Sequence, residues 1–148
     1  MIKAVVTGAG GRMGGRIVTL IADTDGVELA GAVERKGHPL IGKDVGEGLG
    51  LGPTGIMIGD DLAGCIDKGD VVIDFTGHEV SAAHLEIAAA KGRAIVIGST
   101  GFTAEELKRV RELASDVRCV LAPNMSVGVN CLFKVLADVA GILGEEYD

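Results

Sequence analysis

The residues near the start of the chain constrain its fold more than any others. A largely apolar run, Ile2–Val6, is followed by T-G-A-G-G-R-M-G, which holds four glycines within the seven residues 8–14. Glycine loses more backbone entropy on folding than any other residue, so this cluster implies a tight turn or a close approach of backbone. A strand, a glycine-rich turn and a helix in this order favour the first unit of a parallel sheet.

Strand-like and helix-like segments alternate along the rest of the chain. The strands are short, nearly continuous apolar runs, which are typical of a sheet buried on both faces. The alternation predicts an α/β fold: a Rossmann-type doubly wound, mainly parallel sheet with helices on both faces. The predicted strands are Ile2–Thr7, Val27–Val33, Val71–Phe75, Ala94–Ile97 and Arg118–Ala122, and the predicted helices are Met13–Asp23, Asp61–Lys68, Glu79–Lys91, Ala104–Ala114 and Val127–Leu143.

The segment Lys36–Gly59 differs from the rest of the chain. Eight of its 24 residues are glycine, and its apolar periodicity is weak. We expect an irregular connection here, with one short strand at Ile56–Ile58. The sequence T-A-E-E at residues 103–106, by contrast, is a capping box and marks the start of the helix at Ala104.

Composition narrows the classes of function. The 148 residues carry a net charge of −7, which disfavours a nucleic-acid partner because a phosphate backbone requires a basic surface. No apolar run reaches the ~18 residues of a membrane span. The chain also enters its first strand directly, without a signal-peptide pattern. These features predict a cytoplasmic protein with no membrane attachment.

The cysteines are predicted to be structural. Cys65, Cys119 and Cys131 lack C-x-x-C spacing, their number is odd, and each falls in an apolar segment. Buried, reduced thiols are the expectation for such a set in a cytosolic protein. Because the chain has only three histidines, no metal site is predicted.

The glycine-rich loop has the features of a phosphate site. The first N–H groups of a helix have no intrahelical partner, and the helix dipole is positive there, so a pyrophosphate is bonded well at that end. Gly8 would permit the tight turn, Gly10 and Gly11 would keep side chains away from the phosphates, and Gly14 would allow close packing of helix and sheet. Arg12 adds a mobile cation at the mouth of the loop.

The spacing of the loop departs from strict G-x-G-x-x-G, because Met13 stands where the last glycine would be. A second element strengthens the interpretation. Glu34 ends the second strand, twenty residues after Gly14, where a carboxylate can accept hydrogen bonds from both ribose hydroxyls of an adenosine. Strand, loop, helix, strand and acid together predict dinucleotide binding.

The residues after Glu34 leave the choice of cofactor open. An acid favours NADH, whereas Arg35 and Lys36 would attract the 2′-phosphate of NADPH. Both basic residues could instead be solvated surface charges, and for Lys36 this is the preferred interpretation. Both NADH and NADPH are therefore candidate cofactors.

Three further loops follow strands at the predicted cofactor edge. They contain D-F-T at residues 74–76, G-S-T-G-F at 98–102 and A-P-N-M-S-V-G-V-N at 122–130. Gly98 and Gly101 would let backbone approach a flat ring, and Ser99 and Thr100 supply hydroxyls. Ordinary loop chemistry would explain any one of these loops, but three along one sheet edge favour a cofactor site.

Taken together, G-A-G-G-R-M-G, V-E-R, D-F-T, G-S-T-G-F and P-N-M-S-V-G-V-N resemble, in order and spacing, the bacterial dihydrodipicolinate reductase family. The resemblance covers essentially all of the chain. Ser99 replaces the threonine usual in the family, which keeps the hydroxyl. The resemblance implies an NAD(P)H-binding Rossmann domain of an oxidoreductase that converts 4-hydroxy-tetrahydrodipicolinate to tetrahydrodipicolinate in lysine and diaminopimelate biosynthesis.

The resemblance also implies which residues contact the cofactor. Glu34 would bind the adenosine ribose and Arg35 the 2′-phosphate, while the loops after the later strands would approach the nicotinamide. The full set comprises Gly8, Ala9, Gly10, Gly11, Arg12, Met13, Glu34, Arg35, Phe75, Gly98, Ser99, Thr100, Ala122, Pro123, Asn124 and Met125.

The catalytic motif of the family, roughly E-x-H-H-x-x-K-x-D-x-P-S-G-T-A, would begin just after Asp148, so the resemblance implies no catalytic residue in this chain. Residues 1–130 would form the cofactor domain, and residues 131–148 a hinge helix and the start of a second domain. That second domain would hold the small dicarboxylate substrate and build a homotetramer. The chain alone is thus predicted to be inactive and not tetrameric.

The histidines are poor substitutes for that motif. His38 lies in the irregular connection, and His84 is predicted to be a surface residue in mid-helix. Only His78 lies at the cofactor edge, and it is a weak catalytic candidate.

Two other functions remain open from the sequence. One is a free-standing, non-catalytic NAD(H)-binding regulatory module. The other is a Rossmann domain of a semialdehyde or aspartate dehydrogenase, which would need a catalytic cysteine or a different set of strand-end loops. The reading frame beyond Asp148 would distinguish them.

Overall fold

The computed structural model describes residues 1–145 and contains a single six-stranded sheet within them. Its order is β3-β2-β1-β4-β5-β6, and every neighbouring pair is parallel. In chain order the elements are β1 (Ile2–Thr7), α1 (Arg12–Ala22), β2 (Val27–Val33), α2 (Val45–Leu49), β3 (Ile58–Gly59), a 3₁₀ turn (Ile66–Lys68), β4 (Val71–Asp74), α3 (His78–Ala90), β5 (Ala94–Ile97), α4 (Ala104–Ala114), β6 (Cys119–Leu121) and α5 (Val127–Leu143).

The sheet is covered on both faces, which confirms the predicted doubly wound fold. Successive side chains of β1 point to opposite faces, so Val5 joins one apolar cluster while Ala4 and Val6 join the other. The first cluster includes Leu85 of α3 and Val110 of α4. The second includes residues of α1 and α2. The strand order reverses between β1 and β4, and a crevice opens at such a point beyond the carboxyl ends of the strands.

The predicted short helix Asp61–Lys68 is wrong. Residues 61 and 62 are irregular, residues 63–65 form a turn, and only Ile66–Lys68 make one 3₁₀ turn. The carboxylate of Asp61 accepts the backbone N–H of Ala63 at 3.0 Å. Such a local side-chain bond competes with helix formation.

The connection between β2 and β3 is more ordered than its glycine content indicates. It contains α2, which was not predicted, and the short strand lies at Ile58–Gly59 rather than at Ile56–Ile58. Asp44 caps α2, and Gly50 ends it in the left-handed region at φ 74°. Three glycines within and beside α2 hid its helical pattern in the sequence.

Asp44 organises this connection. Its buried carboxylate accepts backbone N–H groups from Gly46, Glu47, Thr54 and Gly55 at 2.6–3.2 Å, and the Thr54 hydroxyl at 3.0 Å. These hydrogen bonds lower the pKa of Asp44 to about 2, and the bond from the Thr54 backbone contributes most to the shift. Burial acts in the opposite direction but is outweighed. One carboxylate thus joins the start of α2 to the segment that leads into β3.

Helix α5 has the predicted bounds but lies apart from both apolar clusters. None of its residues is buried, and side chains such as Phe133 and Ile142 are more than half exposed. Cys131 is exposed as well, so its predicted burial is wrong, because within residues 1–145 no element covers this part of α5. Cys65 and Cys119 are half-buried, and burial raises the pKa of both thiols. No helix among the described residues is both long and apolar enough to cross a bilayer.

We expect Asp44→Asn to lower the melting temperature at neutral pH, because an amide offers one acceptor oxygen and turns an N–H group toward the donors. The folded carboxyl has a lowered pKa, so its contribution to stability is present above its ordinary pKa near 3.8 and is lost as pH falls toward about 2. Thermal melts from pH 7 to pH 2 would check this.

The wild-type chain should lose its stability advantage over Asp44→Asn across that acidic window. Asp25→Asn, in the exposed turn before β2, is the control and should change the melting temperature little. A constant difference between wild type and Asp44→Asn at all pH values would contradict the prediction.

Candidate functional site

A cleft of about 720 Å³ lies at the carboxyl ends of the central strands. Its walls come from the glycine loop, the ends of β1, β2 and β4, one face of α3 and the segment at residues 60–62. Of the predicted cofactor residues, those that line it are Gly8, Gly11, Arg12, Met13, Glu34, Arg35 and Phe75. Ala9 is fully buried beneath the loop, and its N–H donates to the carbonyl oxygen of Val33 at 3.1 Å.

The glycine loop brings the start of α1 against the end of β1. Gly8 has φ +65°, a conformation that favours glycine, and a Cβ atom on Gly14 would overlap the carbonyl group of Gly8. Helix α1 begins at Arg12 with Gly11 as its N-cap. Among residues 1–145 no side chain caps this helix and no acid lies in its first turn. Its positive end therefore faces the cleft and suits an anion.

Glu34 joins the end of β2 to the glycine loop. Its carboxylate is buried and accepts the N–H of Gly10 and the N–H of Arg35, each at 3.0 Å. A Cβ atom on Gly10 would meet Leu40 and His38 at 2.8–3.0 Å. A side chain at residue 10 would therefore press on Leu40 and His38, and the clearance for phosphates that the sequence suggested stays a prediction.

The loops after β5 and β6 border a second groove, of about 500 Å³. Ser99, Thr100 and Pro123 line it, together with side chains of α4 and β6. Gly98 lies against the ring of Phe75, and a Cβ atom there would overlap the ring. This contact connects the end of β5 to the 720 Å³ cleft.

Three predicted residues remain. In the part of the chain that the structure describes, neither the 720 Å³ cleft nor the 500 Å³ groove is lined by Ala122, Asn124 or Met125. Asn124 instead fixes the turn before α5. Its side-chain oxygen accepts the N–H of Ser126 at 2.8 Å, and its carbonyl oxygen accepts the amide of Asn130 at 3.0 Å.

A buried polar network lies between β4, α3 and the end of β5. Asp74 is fully buried, and its carboxylate accepts four hydrogen bonds. Two come from the N–H and the hydroxyl of Thr76, one comes from the Ser81 hydroxyl at 3.0 Å, and one comes from His84 Nδ1 at 2.6 Å. Burial opposes ionisation of Asp74, but the bonds from His84 and Thr76 outweigh it and hold the pKa of the carboxyl below its usual range. Ser81 in turn bonds Ser99 at 2.6 Å.

The prediction that His84 is a surface residue is wrong, because its side chain is only 13% exposed and bonded to Asp74. The sequence held a signal for this. His84 lies three residues after Ser81, one before Leu85 and four before Ala88, so it shares the face of α3 that packs on the sheet.

His78 is also engaged with its neighbours. Its Nδ1 lies 3.0 Å from Glu106, and its ring meets Phe102 edge-on at 6.0 Å. The same Glu106 accepts the N–H of Thr103 in the capping box of α4, and this bond, followed by the one from His78, lowers the pKa of Glu106. His78 therefore links the starts of α3 and α4.

Several cleft residues were not predicted. They lie after β3, just before α3 or along α3, and they comprise Asp60, Asp61, Leu62, Gly77, Val80, Ala83, His84 and Ile87. Thr76 also lines the cleft and belongs to the predicted D-F-T loop. Residues 60–62 were missed because the end of β3 was misplaced and residues 61–68 were predicted as a helix.

The fold, the open end of α1 and the acid at the end of β2 define a Rossmann-type nucleotide-binding domain. Residues 2–125 match the family described as "Dihydrodipicolinate reductase, N-terminus". The chain belongs to the dihydrodipicolinate reductase family and corresponds to its N-terminal, nucleotide-binding part. This confirms the resemblance found in the sequence and the predicted class of cofactor, a nicotinamide dinucleotide.

Curated relatives agree with this assignment. The 4-hydroxy-tetrahydrodipicolinate reductase of Syntrophus aciditrophicus (strain SB) is 58% identical over all 148 residues, and that of Geobacter sp. (strain M21) is 55% identical. The match covers 55% of each relative. The chain thus spans about half the length of the curated relatives it matches.

Solved structures agree as well. A dipicolinate-bound dihydrodipicolinate reductase from Paenisporosarcina sp. TG-14 superposes with a TM-score of 0.75 at 27% identity, over 95% of this chain and 54% of that one. A Rex-family repressor superposes with a TM-score of 0.60 at 16% identity, over 95% of this chain and 60% of that one. The second likeness shows a shared fold alone.

We expect Gly98→Ala to destabilise the chain by about 1–3 kcal/mol, because the added methyl group must displace the Phe75 ring from a packed site. Chemical denaturation would measure the change. Gly141→Ala is a matched control in the exposed helix α5, where a Cβ atom has no neighbour within 4 Å. It should stabilise by about 0.5–1 kcal/mol. Equal effects of the two substitutions would contradict the prediction.

Proposed function

We propose that the chain binds NADH or NADPH in the 720 Å³ cleft as the cofactor domain of a 4-hydroxy-tetrahydrodipicolinate reductase. The observation that carries the proposal is that the uncapped end of α1 and Glu34 at the end of β2 line the same cleft. An anionic pyrophosphate fits the first, and a ribose diol fits the second.

The order of the strands supports one direction for the proposed cofactor. The adenosine half lies over β2, beside Glu34 and Arg35, and the pyrophosphate lies at Gly11, Arg12 and Met13. The nicotinamide half extends past β4 toward the loops at 98–100 and 122–125. These roles use all the cofactor residues implied by the family resemblance except Gly8, Ala9, Gly10 and Phe75.

As part of a whole enzyme, the domain would hold the cofactor while a hydride passes to the ring of 4-hydroxy-tetrahydrodipicolinate. Together with one proton, this gives tetrahydrodipicolinate, the oxidised cofactor and one water from the lost hydroxyl. The names of the curated relatives and the dipicolinate bound to the related structure support this substrate class. The proposal includes a cytoplasmic location.

The substrate site and the catalytic residues are assigned to a second domain. The proposed boundary has the cofactor domain at residues 1–130 and a hinge beginning at 131. A homotetramer would likewise form through the second domain, so the 148-residue chain alone would not be tetrameric. The length of the relatives, of which the chain covers 55%, supports this division.

Titration calorimetry tests the roles of Glu34 and Arg35. Glu34→Gln keeps an acceptor oxygen for the Gly10 N–H but removes the charge, so NADH should bind about 1–3 kcal/mol more weakly and NADPH should lose less. Arg35→Ala should weaken NADPH more than NADH.

Arg118→Ala is the control for loss of a charge. Arg118 is exposed and precedes β6, at the opposite edge of the sheet from the cleft. The Arg118→Ala variant should leave the ratio of the NADH and NADPH affinities unchanged. If Glu34→Gln and Arg35→Ala also leave this ratio unchanged, the proposed roles are wrong. The absence of heat from either nucleotide with the wild-type chain would contradict cofactor binding itself.

The 148-residue chain should not turn over alone. Orienting the acceptor ring at about 3–3.5 Å from the nicotinamide can supply ~7–11 kcal/mol of the barrier, and loss of a general acid costs about 10²–10⁴ in rate. An assay with freshly generated substrate would follow the loss of NADH absorbance, with a full-length relative as the positive control. A rate within about tenfold of the relative's rate would show that the chain contains the catalytic groups and would direct attention to His78.

A further inference from the structure

The polar network around Asp74 reaches both halves of the site. At one end, His84 lines the 720 Å³ cleft. At the other end, Ser99 lines the groove beside the loop after β5. The hydrogen bonds between them run from His84 to Asp74 at 2.6 Å, from Asp74 to Ser81 at 3.0 Å and from Ser81 to Ser99 at 2.6 Å. All four side chains are at most 13% exposed.

The carboxylate of Asp74 determines the direction of these bonds. An ionised carboxylate can only accept, so His84 Nδ1 and the Ser81 hydroxyl both donate to it. A hydroxyl carries a single proton, and that of Ser81 is used on Asp74. The 2.6 Å bond between the two serines must then be donated by Ser99. Ser99 has no second proton to offer, and its hydroxyl is held toward Ser81 of α3.

Ser99 is the middle residue of the 98–100 loop, so its position affects the backbone on both sides. Gly98 packs against the Phe75 ring on one side, and Thr100 is exposed on the other. The N–H of Gly98 donates to the carbonyl oxygen of Asp74 at 2.8 Å. The backbone of residues 98–100 is therefore attached to Asp74 twice, once through its own N–H and once through Ser99 and Ser81.

We propose that Ser81 is a positioning residue for the nicotinamide half of the cofactor. With Asp74 and His84 it fixes Ser99, and through Ser99 it fixes the 98–100 loop that the nicotinamide would approach. The inference rests on the proposed function, because it requires the cofactor to bind in the direction given above. It adds a group, remote from the cofactor itself, whose loss should affect one half of the ligand and not the other.

The test compares two ligands. NADH has both halves, whereas ADP-ribose has the adenosine and the pyrophosphate but no nicotinamide. We expect Ser81→Ala to weaken NADH binding about tenfold and to change ADP-ribose binding by less than about twofold, because only the 98–100 loop is loosened. Titration calorimetry on the 148-residue chain gives both constants, and a thermal melt establishes that the variant is folded.

Two further variants serve as a coupling test and as a control. Ser99→Ala removes the other partner of the same bond, so the double variant with Ser81→Ala should bind NADH about as weakly as either single variant. Ser115→Ala, at the end of α4, is the control for the same chemical change on an exposed residue. It should leave both affinities unchanged.

The outcomes separate the inference from the proposed function. If wild type binds both ligands and Ser81→Ala leaves the ratio of their affinities unchanged, the positioning role is overturned while cofactor binding stands. Additive effects of the two serine variants would also overturn it. If wild type binds neither ligand, the proposed function fails and the inference falls with it.

Discussion

The close approach of Gly14 to the carbonyl group of Gly8 determines where the rest of the site lies. A side chain at residue 14 would overlap that carbonyl group, so only glycine lets α1 begin directly beyond β1. This position turns the uncapped end of the helix toward the cleft. The reversal of strand order between β1 and β4 then leaves room for a ligand beside it.

Three carboxylates hold the surroundings of the cleft in place, each by accepting hydrogen bonds from neighbouring elements. Asp44 orders the connection after β2, Glu34 joins β2 to the glycine loop, and Asp74 joins β4 to α3. A buried carboxylate is costly unless donors surround it, so each of these acids commits several backbone or hydroxyl groups to one arrangement. Glu34 differs from the other two because it also lines the cleft, where its charge can act on a ligand.

The apolar surface is distributed unevenly. The strands and α1–α4 bury their apolar faces, whereas α5 and the edge strand β6 keep large side chains such as Val120 and Phe133 exposed. Contiguous exposed apolar faces are common where proteins interact. The chain spans about half of its curated relatives, and the loop at 122–125 that the proposal assigns to the nicotinamide connects β6 to α5.

The sequence by itself determined the fold class, the glycine loop and the acid at the end of β2, because these follow from local periodicity and fixed spacing. It also determined the bounds of α4 and α5. Only the tertiary structure decided that the connection at Lys36–Gly59 is ordered and which group His84 bonds. Both depend on carboxylates that bond groups outside their own element: Asp44 meets Thr54, ten residues away, and Asp74 of β4 meets Ser81 and His84 of α3. Such bonds form only when separate elements pack together, so the helical pattern of α3 could indicate that His84 is buried but not which group it bonds.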